Sequence, residues 1–264
     1  MLIIYHGKCI DGFTAAWAAW RQFGDRAEYV PALHGEAPPD VTDRKVYIVD
    51  FSYPRPVLEE MWGKASFLAV FDHHKTAQAD LAGLTYCAFD MNRSGAGLTW
   101  DHIVSSARCP LVNYVEDRDL WRFALPFSKE VNALIGSERQ DFRAWDALDE
   151  RLRNDFDGCV RTGAALLRQV ERYVEEMAQQ ARMVDFAGHT VPIVNAPYIN
   201  TSELVGKLAE TAPFAVGWYQ RGDGKYAYSL RSRGDFDVSE LAKTFGGGGH
   251  RNAAGFTSDT RVHE

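Results

Sequence analysis

The stretch FLAVFDHHKTA, residues 67–77, decides the fold of this chain. Its first five residues are apolar and include aromatic and β-branched side chains, which is typical of a buried strand. An acid and two adjacent histidines follow at once: Asp72, His73 and His74. A single Asp after a strand is common in turns, whereas an adjacent Asp-His-His has no ordinary structural purpose there. We therefore interpret this strand end as part of a metal site.

Two earlier runs resemble this strand, LIIY at residues 2–5 and VYIV at residues 46–49. Apolar helical segments fit between the runs, the first over residues 12–23 and the second over Arg55–Lys64 with proline in its first turn. Strands that alternate with helices predict βαβ units and a parallel sheet. The fold class of the N-terminal part is therefore α/β.

Each of the three predicted strands ends in residues that can bind metal. The first leads to His6 and Asp11, the second to Asp50, and the third to the Asp-His-His. Because ligands bind outside the carboxyl ends of strands in open parallel sheets, we expect these side chains to meet in one crevice. A mixed set of histidines and carboxylates suits a divalent transition metal. The sequence predicts two divalent cations, Mn²⁺ first, with Mg²⁺ or Co²⁺ as alternatives, which would suit attack on phosphorus.

Composition narrows the function classes. The chain has 264 residues, 46% of them hydrophobic and 25% charged, enough for two modest domains. The net charge of −7 argues against tight binding to long duplex nucleic acid. No apolar run is long enough to span a membrane, and the first residues do not resemble a signal peptide. The four scattered cysteines show no CxxC spacing. These features predict a cytoplasmic protein.

The pattern changes near Val160, where apolar residues recur at spacings of three and four as far as Val184. This periodicity predicts a long amphipathic helix, which packs on its own domains or forms a homodimer. A smaller α/β unit is expected to follow. The predicted domains are a catalytic domain over 1–155, a connecting helix over 156–185 and a substrate-binding domain over 186–264.

Several motifs in the predicted order resemble those of the DHH phosphoesterases, the superfamily of the nanoRNases and RecJ-like nucleases. FDHHKTA resembles the motif that names the family, and HGKCIDGFTAAW, VYIVDFS and YVEDRDLW lie where the family has its other metal-binding motifs. The C-terminal YSLRSRGDFDVSELAKTFGGGGHRNAAGF resembles the signature of the associated DHHA1 domain. The resemblance implies a DHH domain with a parallel sheet and a smaller C-terminal α/β DHHA1 domain.

The resemblance also assigns roles to residues. Asp50 corresponds to a bridging metal ligand and His74 to a residue that faces the scissile phosphate, while Asp72 is expected to support the site as a partner of a ligand or as a further ligand. The metal ligands implied by the family are His6, Asp11, Asp50, His73 and Asp117. Asp119 is the alternative to Asp117.

The first motif departs from the family pattern, which is commonly Asp-x-Asp-Gly. Cys9 occupies the place of the first Asp in Cys9-Ile10-Asp11-Gly12. Either a thiolate binds the metal there, or the site has one protein ligand fewer. The sequence leaves both alternatives open.

The C-terminal signature contains residue types that suit phosphate binding. Consecutive glycines let backbone N–H groups approach an anion, and Arg231 matches the family position that reaches substrate phosphate. The residues expected to bind substrate are Arg231, Gly247, Gly248, Gly249 and His250.

The motifs predict a metal-dependent phosphodiesterase. The second domain is expected to limit substrate length, so a nanoRNase-like exonuclease that degrades short oligonucleotides is the first choice. The alternatives are a 3′-phosphoadenosine-5′-phosphate phosphatase and a phosphodiesterase of cyclic or linear dinucleotides. A different class, a non-catalytic nucleotide-binding module, draws its only support from Cys9.

Overall fold

The structure is a computed structural model that describes residues 1–263 of the chain. It divides into two compact units, Met1–Leu167 and residues 168–263. Each unit has a β-sheet with helices packed against it. The predicted α/β fold class is confirmed.

A five-stranded, fully parallel sheet forms the centre of the first unit, with the strand order β2-β1-β3-β4-β5. The strands are β1 Leu2–His6, β2 Glu28–Ala32, β3 Lys45–Val49, β4 Phe67–Asp72 and β5 Cys87–Phe89. The three predicted strands are therefore present as β1, β3 and β4. The two edge strands, β2 and β5, were not predicted from the sequence.

Eight helices belong to or begin in this unit. They are α1 Ile10–Phe23, α2 Arg55–Lys64, α3 Lys75–Asp80, α4 Gly95–Thr99, α5 Pro110–Asp119, α6 Ser128–Ser137, α7 Phe142–Asn154 and α8 Phe156–Ala178. A π-helical turn, Trp100–Val104, extends α4. The helices predicted between the first strands are α1 and α2.

Both faces of the parallel sheet are buried. On β1, Ile3 packs toward α1 and α5, while Leu2 and Ile4 pack toward α2. Fully buried Trp17 of α1 and Trp145 of α7 fill the first core. A sheet covered on both sides explains why these strands read as continuous apolar runs.

The second unit contains a six-stranded mixed sheet with the order β10-β11-β9-β8-β7-β6. Its strands are β6 Arg182–Phe186, β7 His189–Asn195, β8 Phe214–Gln220, β9 Tyr226–Ser232, β10 Gly248–His250 and β11 Ala253–Ser258. Only β7 and β8 pair in parallel; the other pairs are antiparallel. Two helices, α9 Thr201–Leu208 and α10 Val238–Thr244, complete the unit.

The long amphipathic helix ends earlier than the spacing predicted. Helix α8 stops at Ala178, so the expected extension of the helix to residue 185 is wrong. Residues 182–186 instead form β6, which pairs with β7 across a tight turn in which Ala187 and Gly188 both have positive φ angles. Two positive φ angles suit a two-residue hairpin, and Val184 then packs in the sheet core. The boundary between the two compact units falls within α8.

Within residues 1–263, the structure contains no helix that is both long enough and apolar enough to span a membrane.

Candidate metal centre

The strand order places a topological switch point between β1 and β3. Chain connections run outward in opposite directions from these two strands, β1 to β2 and β3 to β4. At such a point the loops after the strands diverge and leave a crevice. His6 ends β1 and Asp50 follows β3, so both residues lie at this crevice, and His73 follows β4 beside them.

One group of ligand atoms centres on His73. Its Nε2 lies 3.1 Å from Oδ1 of Asp50, 3.5 Å from Oδ2 of Asp11 and 3.5 Å from Oδ2 of Asp119. The side chains of His73, Asp11 and Asp50 are almost completely buried. Buried carboxylates this close to one another repel unless positive charge neutralises them.

A second group shares Asp50. Ligand atoms of His6, Cys9 and Asp50 all lie within 4.8 Å of one another. The Nδ1 atom of His6 is 3.5 Å from Oδ2 of Asp50, whereas the first group is approached by Oδ1. The two oxygens of Asp50 therefore face different groups, an arrangement that would suit a carboxylate shared by two cations.

Asp72 orients His74. The two residues are joined by a 2.6 Å hydrogen bond between His74 Nδ1 and Asp72 Oδ1. The hydroxyl of Ser52 donates to the other oxygen of Asp72, and the backbone N–H of His73 donates to Oδ1. These contacts fix the carboxylate and, through it, the ring of His74.

The N-terminus of α4 holds Asp11. The backbone N–H groups of Gly95 and Ala96 donate to its two carboxylate oxygens at 2.6 and 3.0 Å. Gly95 also packs directly on Asp50, and a Cβ atom at this position would overlap the Asp50 side chain. The glycine thus allows α4 to approach both acids. Asp50 itself has a left-handed backbone with φ of 55°, which aims its side chain into the crevice.

Burial and charge act in opposite directions on these groups. Burial and the neighbouring acids Asp50 and Asp119 raise the pKa of Asp11 well above its usual range. Burial also opposes ionisation of Asp50, but the nearby rings of His6 and His73 outweigh it and hold the pKa of Asp50 well below its usual range. Burial and the same acids raise the pKa of the Cys9 thiol. The cluster thus lacks enough positive charge to ionise all its members.

The residues fit divalent cations. Three ligand atoms are buried without a hydrogen-bond partner among residues 1–263, namely His6 Nδ1, Asp50 Oδ2 and Asp119 Oδ2. Buried polar atoms are rarely left without partners, and those that are require an explanation. Nitrogen and carboxylate oxygen are ligands for Mn²⁺, Co²⁺ and Zn²⁺. Cations would give these atoms partners and would neutralise the carboxylates.

Asp117 and Asp119 of α5 make different contacts in the structure, which distinguishes the two candidate ligands. Both oxygens of Asp117 accept hydrogen bonds from the loop after α5, one from the N–H of Ala124 and the other from that of Leu125. Asp119 lies at the end of the same helix and faces His73. The geometry therefore favours Asp119, the alternative, over Asp117 as the acid of this motif that faces the crevice.

Sequence reasoning missed His34, which follows β2. Its ring lies 5.4 Å from that of His6 and 6.4 Å from that of His74, and it packs on Phe51 at 4.8 Å. Burial and the two neighbouring histidines lower the pKa of His34 to about 4. The signal was present in YVPALH, an apolar run that ends in histidine as LIIYH does, but β2 itself was not recognised.

In the second unit, the predicted phosphate-binding residues lie on β9, on β10 and, for Gly247, directly before β10. Arg231 donates from Nη2 to the hydroxyl of Ser202 at 2.8 Å and is partly buried. The glycine run enters β10, where Gly248, Gly249 and His250 pair with β11. A Cβ atom at Gly247 or Gly249 would overlap the backbone of β11. Close approach of the two strands therefore already requires glycine there.

Comparison with known families identifies the second unit. Residues 193–263 match the family described as the DHHA1 domain. This range begins within β7 and covers β8 to β11 together with α9 and α10. It contains Arg231 and the whole glycine run.

Three proteins are similar to the chain over most of its length. It is 29% identical to the uncharacterized protein R106 of Acanthamoeba polyphaga mimivirus over 96% of this chain and 66% of that protein. It is 25% identical to the cyclic-di-AMP phosphodiesterase GdpP of Geobacillus thermodenitrificans, over 84% of this chain and 34% of that protein. It is 26% identical to the oligoribonuclease NrnB of Bacillus subtilis, over 74% of this chain and 54% of that protein. The chain thus spans between one third and two thirds of each relative.

Solved structures share the fold. RecJ of Thermus thermophilus, determined with Mn²⁺, aligns with a TM-score of 0.55 at 15% identity, over 98% of this chain and 49% of that one. The pGpG-specific phosphodiesterase PggH of Vibrio cholerae aligns with a TM-score of 0.51 at 14% identity, over 97% of this chain and 92% of that one. At these identities the similarity describes the fold alone.

Proposed function

We propose that this chain, which belongs to the DHH/DHHA1 family of phosphoesterases, is a metal-dependent phosphodiesterase that hydrolyses short oligonucleotides. The observation that carries the proposal is the convergence of three strand ends on one buried cluster. In this cluster His6 Nδ1, Asp50 Oδ2 and Asp119 Oδ2 have no hydrogen-bond partner among residues 1–263. The names of NrnB, GdpP and PggH describe phosphodiesterases of oligonucleotides or dinucleotides, and these names support a nucleotide substrate.

Each residue of the cluster has a proposed role. His6, Asp11, Asp50, His73 and Asp119 would hold two divalent cations, and Asp50 belongs to both groups of ligand atoms. Bound cations would supply an activated water and neutralise the charge that develops on phosphorus. Asp119 takes the place of Asp117 because its unpartnered oxygen faces His73.

His74 acts on the substrate in this proposal. Asp72 accepts a hydrogen bond from Nδ1 of the His74 ring. This fixed carboxylate therefore sets the direction of the opposite ring edge, which carries Nε2. The side chain of His74 is 17% exposed, which leaves part of the ring open to a ligand. In that position the ring stabilises a phosphate oxygen or gives a proton to the leaving oxygen.

The second unit binds a further phosphate in this proposal. The guanidinium of Arg231 can hold two oxygens at once, and the N–H groups of Gly247, Gly248 and Gly249 with His250 add donors. The hydrogen bond from Arg231 to Ser202 keeps the guanidinium in place before substrate arrives.

A substrate panel under Mn²⁺ tests the proposal. It contains a 5′-phosphorylated dinucleotide, a pentanucleotide, a 24-mer, 3′-phosphoadenosine-5′-phosphate and a cyclic dinucleotide. We expect the shortest oligonucleotides to be cleaved fastest. Preference for the cyclic dinucleotide or for 3′-phosphoadenosine-5′-phosphate would replace the substrate assignment. Nucleotide binding without cleavage of any substrate would support a binding module and overturn the enzymatic proposal.

A further inference from the structure

Cys9 lies at the start of α1, where its side chain has no role in capping the helix. Its backbone carbonyl accepts the first helical hydrogen bond, from the N–H of Phe13 at 3.0 Å, while its side chain makes no capping hydrogen bond. The preceding residue, Lys8, has a left-handed backbone with φ of 59°. This turn brings the Cys9 side chain back beside the strand end of His6.

The thiol has metal ligands as neighbours. Sγ of Cys9, a ring nitrogen of His6 and an oxygen of Asp50 all lie within 4.8 Å of one another. Independently of the thiol, His6 Nδ1 and Asp50 Oδ2 are buried and lack a hydrogen-bond partner among residues 1–263. A ring nitrogen, a carboxylate oxygen and a sulfur therefore lie close enough together to share one cation.

We propose that Cys9 supplies a thiolate ligand to the cation held by His6 and Asp50, so that the two cation positions of the cluster differ in chemistry. The inference deepens the proposed function and rests on its metal centre. The position at Cys9 offers sulfur, nitrogen and oxygen, a set that favours Zn²⁺, Co²⁺ or Fe²⁺. The position at His73 offers two or three carboxylates and one nitrogen, a set that suits Mn²⁺. Asp50 contributes one oxygen to each position.

The other cysteines provide a contrast. Among the described residues, Cys87, Cys109 and Cys159 belong to none of the groups of potential ligand atoms that lie within 4.8 Å of one another. Cys109 and Cys159 are buried in the first core, and Cys87 is a partly buried residue of β5. Cys87→Ser is therefore a matched control that removes a partly buried thiol of the same unit without touching the cluster.

Cobalt tests the proposal without any need for turnover. A thiolate bound to Co²⁺ gives an intense charge-transfer absorption in the near ultraviolet, which nitrogen and oxygen ligands do not. The metal-free full chain is titrated with Co²⁺, and absorption and calorimetry are recorded together. We expect the charge-transfer band in the wild type and in Cys87→Ser. In Cys9→Ser the band is absent and Zn²⁺ binds at least about 10-fold more weakly.

Cys9→Asp introduces the carboxylate of the Asp-x-Asp-Gly pattern that the first motif resembles. We expect this variant to bind Co²⁺ without the band and to bind Mn²⁺ at both positions. A wild type that binds Co²⁺ without the band, or a Cys9→Ser variant that keeps it, overturns the proposal.

The experiments distinguish a failure of the thiolate proposal from a failure of the proposed enzymatic function. A thiolate band in a chain that cleaves nothing would leave the sulfur ligand in place and remove the enzymatic proposal. Mn²⁺-dependent cleavage without a thiolate band at any Co²⁺ concentration would support the enzymatic proposal and overturn the thiolate ligand.

Discussion

The Nε2 atom of His73 lies 3.5 Å from Oδ2 of Asp119, although one residue follows β4 and the other ends α5. That oxygen is buried and has no hydrogen-bond partner among the described residues. The side chain of Asp119 is 25% exposed, so the carboxylate reaches the buried cluster from the solvent side. This relationship places α5, together with the three strands, among the elements that build the candidate metal centre.

Substitutions of the two acids of α5 should have different effects, one on metal binding and the other on stability. We expect Asp119→Asn to weaken Mn²⁺ binding at least about 10-fold. Because burial and Asp50 raise the pKa of Asp119, this substitution should not destabilise the metal-free fold. Asp117→Asn should keep Mn²⁺ binding but lower the free energy of unfolding by about 1–3 kcal/mol. The amide offers a single acceptor oxygen, so one of the two N–H groups that now donate to Asp117 would lose its partner. Calorimetry and urea denaturation measure the two effects, and the opposite assignment of effects would restore Asp117 as the ligand.

Gly95 should be intolerant of a methyl group. Gly95→Ala places a Cβ atom against the Asp50 side chain, so we expect turnover to fall about 100-fold through displacement of that carboxylate. Gly63→Ala is the matched control in helix α2, where no atom lies within 4 Å of the added carbon. It should stabilise the fold by about 0.5–1 kcal/mol and leave turnover unchanged. Wild-type turnover by Gly95→Ala would show that the close contact is not required.

Arg231 should act on substrate binding. Arg231→Lys retains charge but loses the two-pronged contact with phosphate, so we expect KM for a 5′-phosphorylated dinucleotide to rise about 10-fold with a smaller change in kcat. The control is Arg233→Ala, which removes a side chain paired with Glu210 at the surface. Steady-state kinetics of both variants test the assignment. Equal KM values for Arg231→Lys and the wild type would remove Arg231 from the substrate site.

A pH effect on stability is expected away from the metal centre. Arg108 donates two hydrogen bonds to Asp101 and holds the pKa of this carboxyl below its usual value of 3.8, although partial burial alone would raise that pKa. The stabilisation is therefore complete above about pH 4 and is lost as the pH falls through the lowered pKa. Because Asp101 is partly exposed, Asp101→Asn should cost only about 0.5–1 kcal/mol at neutral pH. Urea denaturation between pH 7 and pH 3 should show the two proteins converging in acid, and a constant difference would contradict the assignment.

The strand ends were predictable because their signals are local. LIIYH, VYIVD and FLAVFDH each join a buried strand to a candidate metal ligand, and in a parallel sheet these ends lie at the same edge. The sequence could not choose between Asp117 and Asp119, because residues 111–121 read equally as helix or strand. In a strand, residues two apart share a face, whereas in a helix they point in different directions. Only the observed helix explains why one acid binds a loop while the other faces His73.

Other elements were missed for physical reasons. The edge strand β2 contains Pro31, which is tolerated at a sheet edge but weakens the strand signal. His34 was missed with it. Near Val184, helical spacing continued by chance into a strand, and the Ala187-Gly188 turn was the only local sign of the hairpin. The sequence placed Cys9 at a candidate ligand position but could not choose between its two alternatives, because that choice depends on the proximity of Cys9 to His6 and Asp50 in the fold.

The most direct test of the account is Mn²⁺-dependent cleavage of a 5′-phosphorylated dinucleotide by the wild type, His73→Ala and His102→Ala. His102 is an exposed histidine of the same unit that stacks on Phe71. The account predicts cleavage by the wild type and His102→Ala that stops when a chelator removes the metal, and turnover by His73→Ala at least about 100-fold lower. Cleavage that persists in the chelator, or that His73→Ala retains in full, would contradict the metal centre as the site of catalysis.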